Sequence, residues 1–279
     1  MELYAILVCF IVLLAAIIVI YVIYTKYIKK QSSNNSNSIF APKHMFNYHP
    51  ELINAYLNEN MDLNDLNRYK NGFKATFLDL INKNYIIYLN PDPNSTENNH
   101  SKGPFMQINK KKSIKALKEY EMDLIHYLKL YDKKGSISLH FIKDDLDNLK
   151  ASKKFHSKYV GWEKHLNKDY LNNKFFSGDL KEFKKEINEF KSYTCGHDLA
   201  NADISSGDIN KFLVYGMALE IEKKMMNNFE NHLDEKTLEE SEIYHLIKVN
   251  GLDFVEKGIQ GTYLIKSGDH DPNTNVYGY

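Results

Sequence analysis

The segment ATFLDLINKNYIIY, residues 75–88, changes from a helical to an extended pattern within fourteen positions. Phe77 and Ile81 recur at the four-residue spacing of one apolar helix face. Asn84 stands where a helix usually ends, because asparagine tolerates the left-handed backbone conformation. Residues 85–89 are apolar and aromatic, which is typical of a strand. We therefore expect a helix, a tight turn and a strand in direct succession.

One more helix and a returning strand flank this segment. Before it, residues 50–57 carry an apolar helical face, and the helix of the quoted segment is predicted to begin within residues 62–65. After it, residues 90–103 form a proline-containing loop and residues 105–108 a second strand. Two helices followed by a hairpin are typical of a winged helix, so residues 39–110 are predicted to form a first winged-helix-like domain.

The same order of elements recurs more loosely in residues 111–178, which are predicted to form a second winged-helix-like domain. Its predicted elements are an apolar helical face at residues 114–128, a turn at 132–135, an extended run at 136–139, and helices at 141–149 and 153–171. The predicted fold class is mainly α with short β-hairpins. A helical region at 179–232 and an acidic, partly disordered region at 233–279 follow.

Three stretches in fixed order carry a family resemblance. The quoted segment is similar to the pattern A-x-L-L-D-L-A-x-R-G-Y-L, with Asn84 in place of the usual glycine. LKEYEMDLIHYL at 117–128 and GSISLHFIKDDL at 135–146, closed by NKFF, are similar to a helix, a V-S-L-x-x-L turn and a G-Y-F ending. NKFLVYGMALEIEKKM at 210–225 resembles a Y-L-x-Y-A-x-A-L-G-x-x-K helix. Together they resemble the cytoplasmic half of the YciQ-like predicted membrane proteins, which carry domain of unknown function 2207. The resemblance implies a topology and a fold and supplies no catalytic residue.

An uncharged apolar run lies between Leu3 and Ile23. Twenty-one helical residues span roughly 30 Å, the thickness of a bilayer core. Three lysines follow the run within residues 24–30, so the positive-inside rule places the N-terminus outside and the rest of the chain in the cytoplasm. We predict a transmembrane anchor at 1–30 and a polar linker, QSSNNSNS, at 31–38. The lipid bilayer is thus the first predicted partner.

The charge of the chain is zero overall but uneven along its length. Residues 1–100 carry 8 basic and 8 acidic side chains, residues 101–185 carry 20 and 11, and residues 186–279 carry 8 and 17. The basic middle could attract phosphates of lipid or nucleic acid. Alternatively, the acidic third folds onto the basic middle, or both are solvated faces.

Two sets of residues are candidate contact sites. Arg68, Lys70 and Lys74 lie on the recognition helix of the first winged-helix-like domain and Lys102 lies near its wing, where they could contact nucleic acid. The second set lies on a helix predicted at residues 208–228, with a capping-box start at Ser205. That helix is either a core helix or a helix that docks a partner or lies on a membrane. Its candidate docking residues are Phe212, Leu213, Gly216 and Met217.

Residues suited to catalysis are scattered. Cys195 and His197 could form a thiolate–imidazole pair, but zinc needs two more ligands at a recognisable spacing, and the sequence beyond the anchor offers no second cysteine. We expect no catalytic residue, no cofactor, no metal and no enzymatic activity. Our first hypothesis is a single-pass membrane protein whose cytoplasmic part binds a protein partner as an interaction module or scaffold. The alternative is a membrane-tethered nucleic-acid-binding regulator.

Overall fold

The computed structural model describes residues 45–62, 65–89, 103–172, 180–196, 199 and 204–267, without the side chains of 263–267. The predicted anchor and linker, Lys102 and His197 lie outside these residues. The described helices are α1 (Pro50–Leu57), α2 (Lys70–Asn82), α3 (Glu119–Lys129), α4 (Leu139–Asp145), α5 (Leu149–Asn172), α6 (Leu180–Cys195), α7 (Ser206–Ala218), α8 (Glu222–His232), α9 (Glu235–Glu239), α10 (Glu242–Lys248) and α11 (Asp253–Ser267). The described strands are β1 (Ile86–Leu89), β2 (Phe105–Ile108) and β3 (Ile137–Ser138).

The predicted helix, turn and strand of the quoted segment are confirmed. Asn84 has a φ of 60°, and the amide of Tyr85 donates back to the carbonyl of Leu80, which closes the end of α2. The predicted start of that helix is wrong, because α2 begins at Lys70. The Asp65 carboxylate instead accepts the amide of Asn67 at 2.9 Å, a local turn that competes with a helix start.

The described strands form one three-stranded antiparallel sheet, which joins distant parts of the chain. β1 pairs with β2, with Ile86 opposite Ile108, and β2 also pairs with β3, with Met106 opposite Ile137. The mainly helical fold with a small sheet is therefore confirmed. Because β3 comes from residues assigned to the second winged-helix-like unit, the two predicted units contribute to one sheet.

The core centres on aromatic side chains of α5. This helix of 24 residues, about 36 Å long, buries one stripe that includes Phe155, Tyr159 and Trp162. The rings of Phe73 and Trp162 meet edge to face, with centroids 5.1 Å apart. α5 packs along α3, α11 and α1. α5 is therefore the central helix of the described fold.

The predicted single helix at 208–228 is two helices. α7 ends at Ala218 and α8 begins at Glu222, because Glu220 adopts a φ of 60° and turns the chain. The turn lets α8 fold back on α7. A Cβ on Gly216 would lie 2.4 Å from the Met225 sulfur, so the glycine at this position lets α7 and α8 pack closely. The predicted capping box at Ser205 and Asp208 is also present.

Part of the acidic third packs against the basic middle. Phe254, Val255 and Ile259 of α11 are buried, and α11 lies against α4, α5 and α2. Lys143 meets Asp253 at 2.9 Å, and Lys257 meets Asp147 at 2.7 Å. The structure therefore supports the alternative in which acidic and basic segments pair within the fold.

Candidate functional site

Four lysines share one side of the first half of α5. Lys150, Lys153, Lys154 and Lys158 recur at the three- and four-residue spacing that places side chains on one helix face. The opposite stripe is buried in the core, so these lysines point towards solvent. The Asn148 side chain accepts the amide of Lys150 at 2.8 Å and starts the helix.

A groove of about 780 Å³ runs beside these lysines between the end of α3 and the start of α5. Leu130 and Leu149 line it with 54% and 39% of their surface exposed. Asn148 and Ser157 complete the described lining, and none of the described lining residues is acidic. Within the described part of the chain, none of the four lysines forms an ion pair. We call the two leucines and four lysines the lysine face.

A second cluster is buried where α1, α2 and α3 meet. Lys83 bridges two carboxylates, at 2.5 Å to Asp79 and 2.8 Å to Glu121. Glu51 is fully buried and accepts the hydroxyl of Tyr120, while His49 lies 3.3 Å from the same carboxylate oxygen. Among the described residues, the second oxygen of Glu51 has no hydrogen-bond partner. Asp79 and Glu121 thus share Lys83, while Glu51 is paired with Tyr120 and His49.

Burial and neighbouring charges set the pKa values in this carboxylate cluster. Burial, followed by the charge of Glu51, raises the pKa of Asp79 to about 6 despite Lys83. Burial also works to raise the pKa of Glu51, but hydrogen bonds from His49 and Tyr120 hold it below the usual value. The bond to Glu51 raises the pKa of His49. Asp79 is therefore the carboxylate of this cluster whose pKa is moved towards neutral pH.

A cleft of about 500 Å³ opens beside this cluster. Its lining includes His49, Lys83, Lys118 and Glu121. Among the residues that the structure describes, no group of three His, Cys, Asp or Glu side chains is placed to hold a metal ion. The positive charge of Lys83 is used by Asp79 and Glu121. The cluster is therefore best suited to joining three helices.

Exposed apolar side chains mark the other end of α5. Leu57 is the last residue of α1, Leu171 lies at the end of α5 with 76% of its surface exposed, and Leu180 begins α6 with 44% exposed. The three elements meet here, since Tyr170 donates to Glu59 at 3.0 Å and the rings of Tyr56 and Phe183 are 5.4 Å apart. We call Leu57, Met61, Leu171 and Leu180 the apolar end.

The predicted nucleic-acid residues are largely engaged inside the fold. Arg68 is buried and donates to the carbonyls of Asn58 and Glu59 at 2.8 and 2.7 Å. Lys74 is buried and bonds Glu256 at 2.7 Å. The Lys70 nitrogen lies 3.9 Å from the same carboxylate and keeps 30% of its side chain exposed. Nucleic-acid binding stays a prediction. Among the described candidate residues, Lys70 is the one with a partly exposed side chain that could contact nucleic acid.

All four predicted docking residues are buried. Phe212, Leu213, Gly216 and Met217 lie on α7, which packs against α2, α8, α10 and α1. α7 thus has the geometry of a core helix, the alternative that the sequence left open. A partner could reach these side chains only if neighbouring helices moved away.

The sequence hypotheses missed both the lysine face and the carboxylate cluster. The positive excess of residues 101–185 pointed to the region of the lysine face but did not separate paired lysines from unpaired ones. For the cluster, no local pattern joins Glu51 to Glu121, which lie seventy positions apart. The only signal was the spacing of Asp79 and Lys83, one helical turn apart.

The family comparison covers this same region. A family model described as predicted membrane protein (DUF2207), C-terminal domain, matches residues 42–192, more than half of the chain. The chain belongs to this family. The resemblance to domain of unknown function 2207 is thereby confirmed. No curated protein and no solved structure matches the chain.

The DUF2207 match spans the lysine face, the carboxylate cluster and the three described strands. The helices from α7 to α11 lie beyond its end, although they pack against the matched part. None of the helices described within residues 45–267 is long and apolar enough to cross a membrane. The predicted anchor between Leu3 and Ile23 lies outside those residues.

Proposed function

We propose that this protein is anchored in the cell membrane by one helix between Leu3 and Ile23, with its N-terminus outside. Its folded part then lies in the cytoplasm and binds a protein partner without catalysing a reaction. Membership of a family of predicted membrane proteins supports the anchor. The lysines that follow the apolar run support the orientation.

We further propose that the folded part is built from two winged-helix-like units. In support, α1, α2 and the β1–β2 hairpin follow the order of a winged helix. In the second unit, α3, β3, α4 and α5 follow one another, and β3 lies at the edge of the shared sheet. Winged-helix folds serve protein contacts as well as nucleic-acid binding, so the surface must decide between them.

The apolar end is the observation that carries the proposed protein contact. Its four side chains are each at least 38% exposed, and they come from the ends of three neighbouring elements. We propose that these side chains form one apolar patch, because an exposed apolar patch on a folded domain usually marks an interaction site. The partner surface should therefore be apolar and should bury Leu171 most deeply.

Photo-crosslinking in the native cell tests this contact. A photoreactive amino acid replaces Leu171 in one variant and Lys185, an exposed residue of α6, in a matched control. We expect the Leu171 probe to yield one discrete protein adduct that the Lys185 probe does not yield. Adducts that are absent, or equal at both positions, would contradict a protein contact at the apolar end.

The nucleic-acid alternative rests on Lys70. We expect the full chain in detergent to show no duplex binding that depends on this residue, because Lys70 faces Glu256 and its neighbours are engaged. Fluorescence anisotropy of labelled duplex DNA over a salt series measures this binding. Lys70→Gln is the test variant and Lys185→Gln is the matched control. Micromolar, salt-sensitive binding that only Lys70→Gln weakens would favour the tethered regulator.

A further inference from the structure

We propose that the lysine face rests on the anionic headgroups of the membrane to which the chain is anchored. The bilayer would thus be contacted twice, by the apolar run and by α5. This inference rests on the proposed anchor, but it concerns a separate surface with its own chemistry.

The charges of the lysine face match a layer of anionic phosphates. Lys150, Lys153, Lys154 and Lys158 lack ion pairs among the described residues, whereas Lys74, Lys143 and Lys257 are each paired with an acidic side chain. The positive end of the α5 dipole lies at the same place. Basic residues near an anionic leaflet contribute about 1 kcal/mol each, so four of them supply substantial attraction.

The two leucines distinguish lipid from nucleic acid. Leu130 and Leu149 lie in the groove beside the lysines, more than half and more than a third exposed. Apolar side chains beside lysines suit the boundary between headgroups and acyl chains, where the leucines can enter while the ammonium groups remain at the phosphates. A phosphodiester backbone offers the leucines no comparable apolar environment.

The length of chain before Met45 permits this contact. Residues 24–44 separate the apolar run from the first described residue, and a chain of that length reaches at most about 70 Å. The tether keeps the lysine face at a high local concentration near the bilayer. Along α5, Leu171 lies about 26 Å from Lys154, so the apolar end stays available to a protein partner.

An environment-sensitive fluorophore at position 130 tests the contact in the full chain. The variant Leu130→Cys carries the label, and Cys9→Ser and Cys195→Ser remove the other two thiols. The labelled chain is reconstituted in vesicles of neutral lipid or of lipid containing phosphatidylserine. Nitroxide-labelled acyl chains in the vesicles act as quenchers. Trp162 emission verifies the fold. Lys153→Gln/Lys154→Gln removes two face charges, and Lys185→Gln/Lys236→Gln removes two exposed charges elsewhere.

We expect quenching in the phosphatidylserine vesicles and little in neutral vesicles. Removing two lysines of the face should lower the equilibrium constant for the contact about thirtyfold, while the control pair should leave it nearly unchanged. Equal quenching in both lipids, no quenching in either, or equal loss in the two variants would overturn the proposal.

Two further experimental results distinguish this proposal from the proposed anchor and from nucleic-acid binding. If the chain does not float with neutral vesicles, the proposed anchor is wrong. Quenching in anionic vesicles then still tests whether the lysine face binds the membrane, independently of the anchor. If duplex DNA shifts the emission of the label in a manner that depends on Lys153 and Lys154, while anionic vesicles leave the label unquenched, the face binds nucleic acid and the lipid assignment is wrong.

Discussion

Asp79 and Glu51 are both buried carboxylates, yet their surroundings move their pKa values in opposite directions. Glu51 receives hydrogen bonds that favour its charged form, whereas Asp79 shares Lys83 with Glu121 and lies near the charge of Glu51. Burial therefore dominates at Asp79 and raises its pKa to about 6. One cluster thus contains a carboxylate that stays ionised and a carboxylate that takes up a proton.

The raised pKa of Asp79 predicts a dependence of stability on pH with a defined sign. Between about pH 4 and pH 6 the folded state keeps a proton that the unfolded state has released, so ionisation of Asp79 lowers stability as the pH rises. Asp79→Asn removes this titration. The free energy of unfolding of the wild type minus that of the variant should fall by roughly 2 kcal/mol from pH 4.5 to pH 7.5.

Denaturant unfolding of the full chain in detergent, followed by the fluorescence of Trp162, measures this difference. Trp162 is the one tryptophan of the chain and is fully buried. Asp234→Asn is the matched control, since Thr237 lowers the pKa of the exposed Asp234 and no titration is expected above pH 4.5. A constant difference for Asp79→Asn over the same range would mean that its carboxylate stays ionised throughout.

At the scale of elements, asparagines cap helix ends across the fold. The Asn54 side chain of α1 accepts the amide of Gly72 in the first turn of α2 and donates to the carbonyl of Ala218 at the end of α7, both at 2.9 Å. Asn228 donates to the carbonyls of Thr194 and Gly196 near the end of α6. Backbone amides and carbonyls at helix ends that have no local capping residue are thus hydrogen-bonded by an asparagine side chain of another helix.

Asn54→Ala should destabilise the protein by about 2–4 kcal/mol, because it leaves one buried amide and one buried carbonyl without partners. Asn60→Ala, at an exposed position just after α1, should change the free energy of unfolding by less than about 0.5 kcal/mol. Thermal or denaturant unfolding of the two variants in parallel measures the contrast. Equal stability of the two variants would show that water replaces both bonds at Asn54.

At the scale of the whole molecule, the helices beyond the DUF2207 match are integral to the fold. The ring of Phe254 on α11 lies 5.8 Å from that of Phe77 on α2, inside the matched region. A Cβ at Gly258 would lie 2.6 Å from the ring of Phe155, so α11 and α5 pack at close range. The core therefore extends across the end of the family match.

Two truncations test this dependence. A stop after Gly251 removes the buried Phe254, Val255 and Ile259, and should lower the free energy of unfolding by more than about 5 kcal/mol or abolish cooperative unfolding. A stop after Ser267 keeps α11 and should preserve the unfolding transition of the full chain. The fluorescence of Trp162 reports both. A cooperative transition of unchanged midpoint in the shorter chain would contradict an integral α11.

The sequence by itself determined the local features: the left-handed turn at Asn84, the strands of the hairpin, the capping box at Ser205 and the family. These rest on periodicity and on hydrogen bonds between residues a few positions apart. Only the tertiary structure decided where β3 pairs, which carboxylates gather around Lys83, and which lysines remain unpaired. Lys74 meets Glu256 and Lys143 meets Asp253 across more than a hundred residues, while the four lysines of the lysine face meet no described acidic group. Such pairings depend on how the helices pack, and no spacing along the chain encodes that.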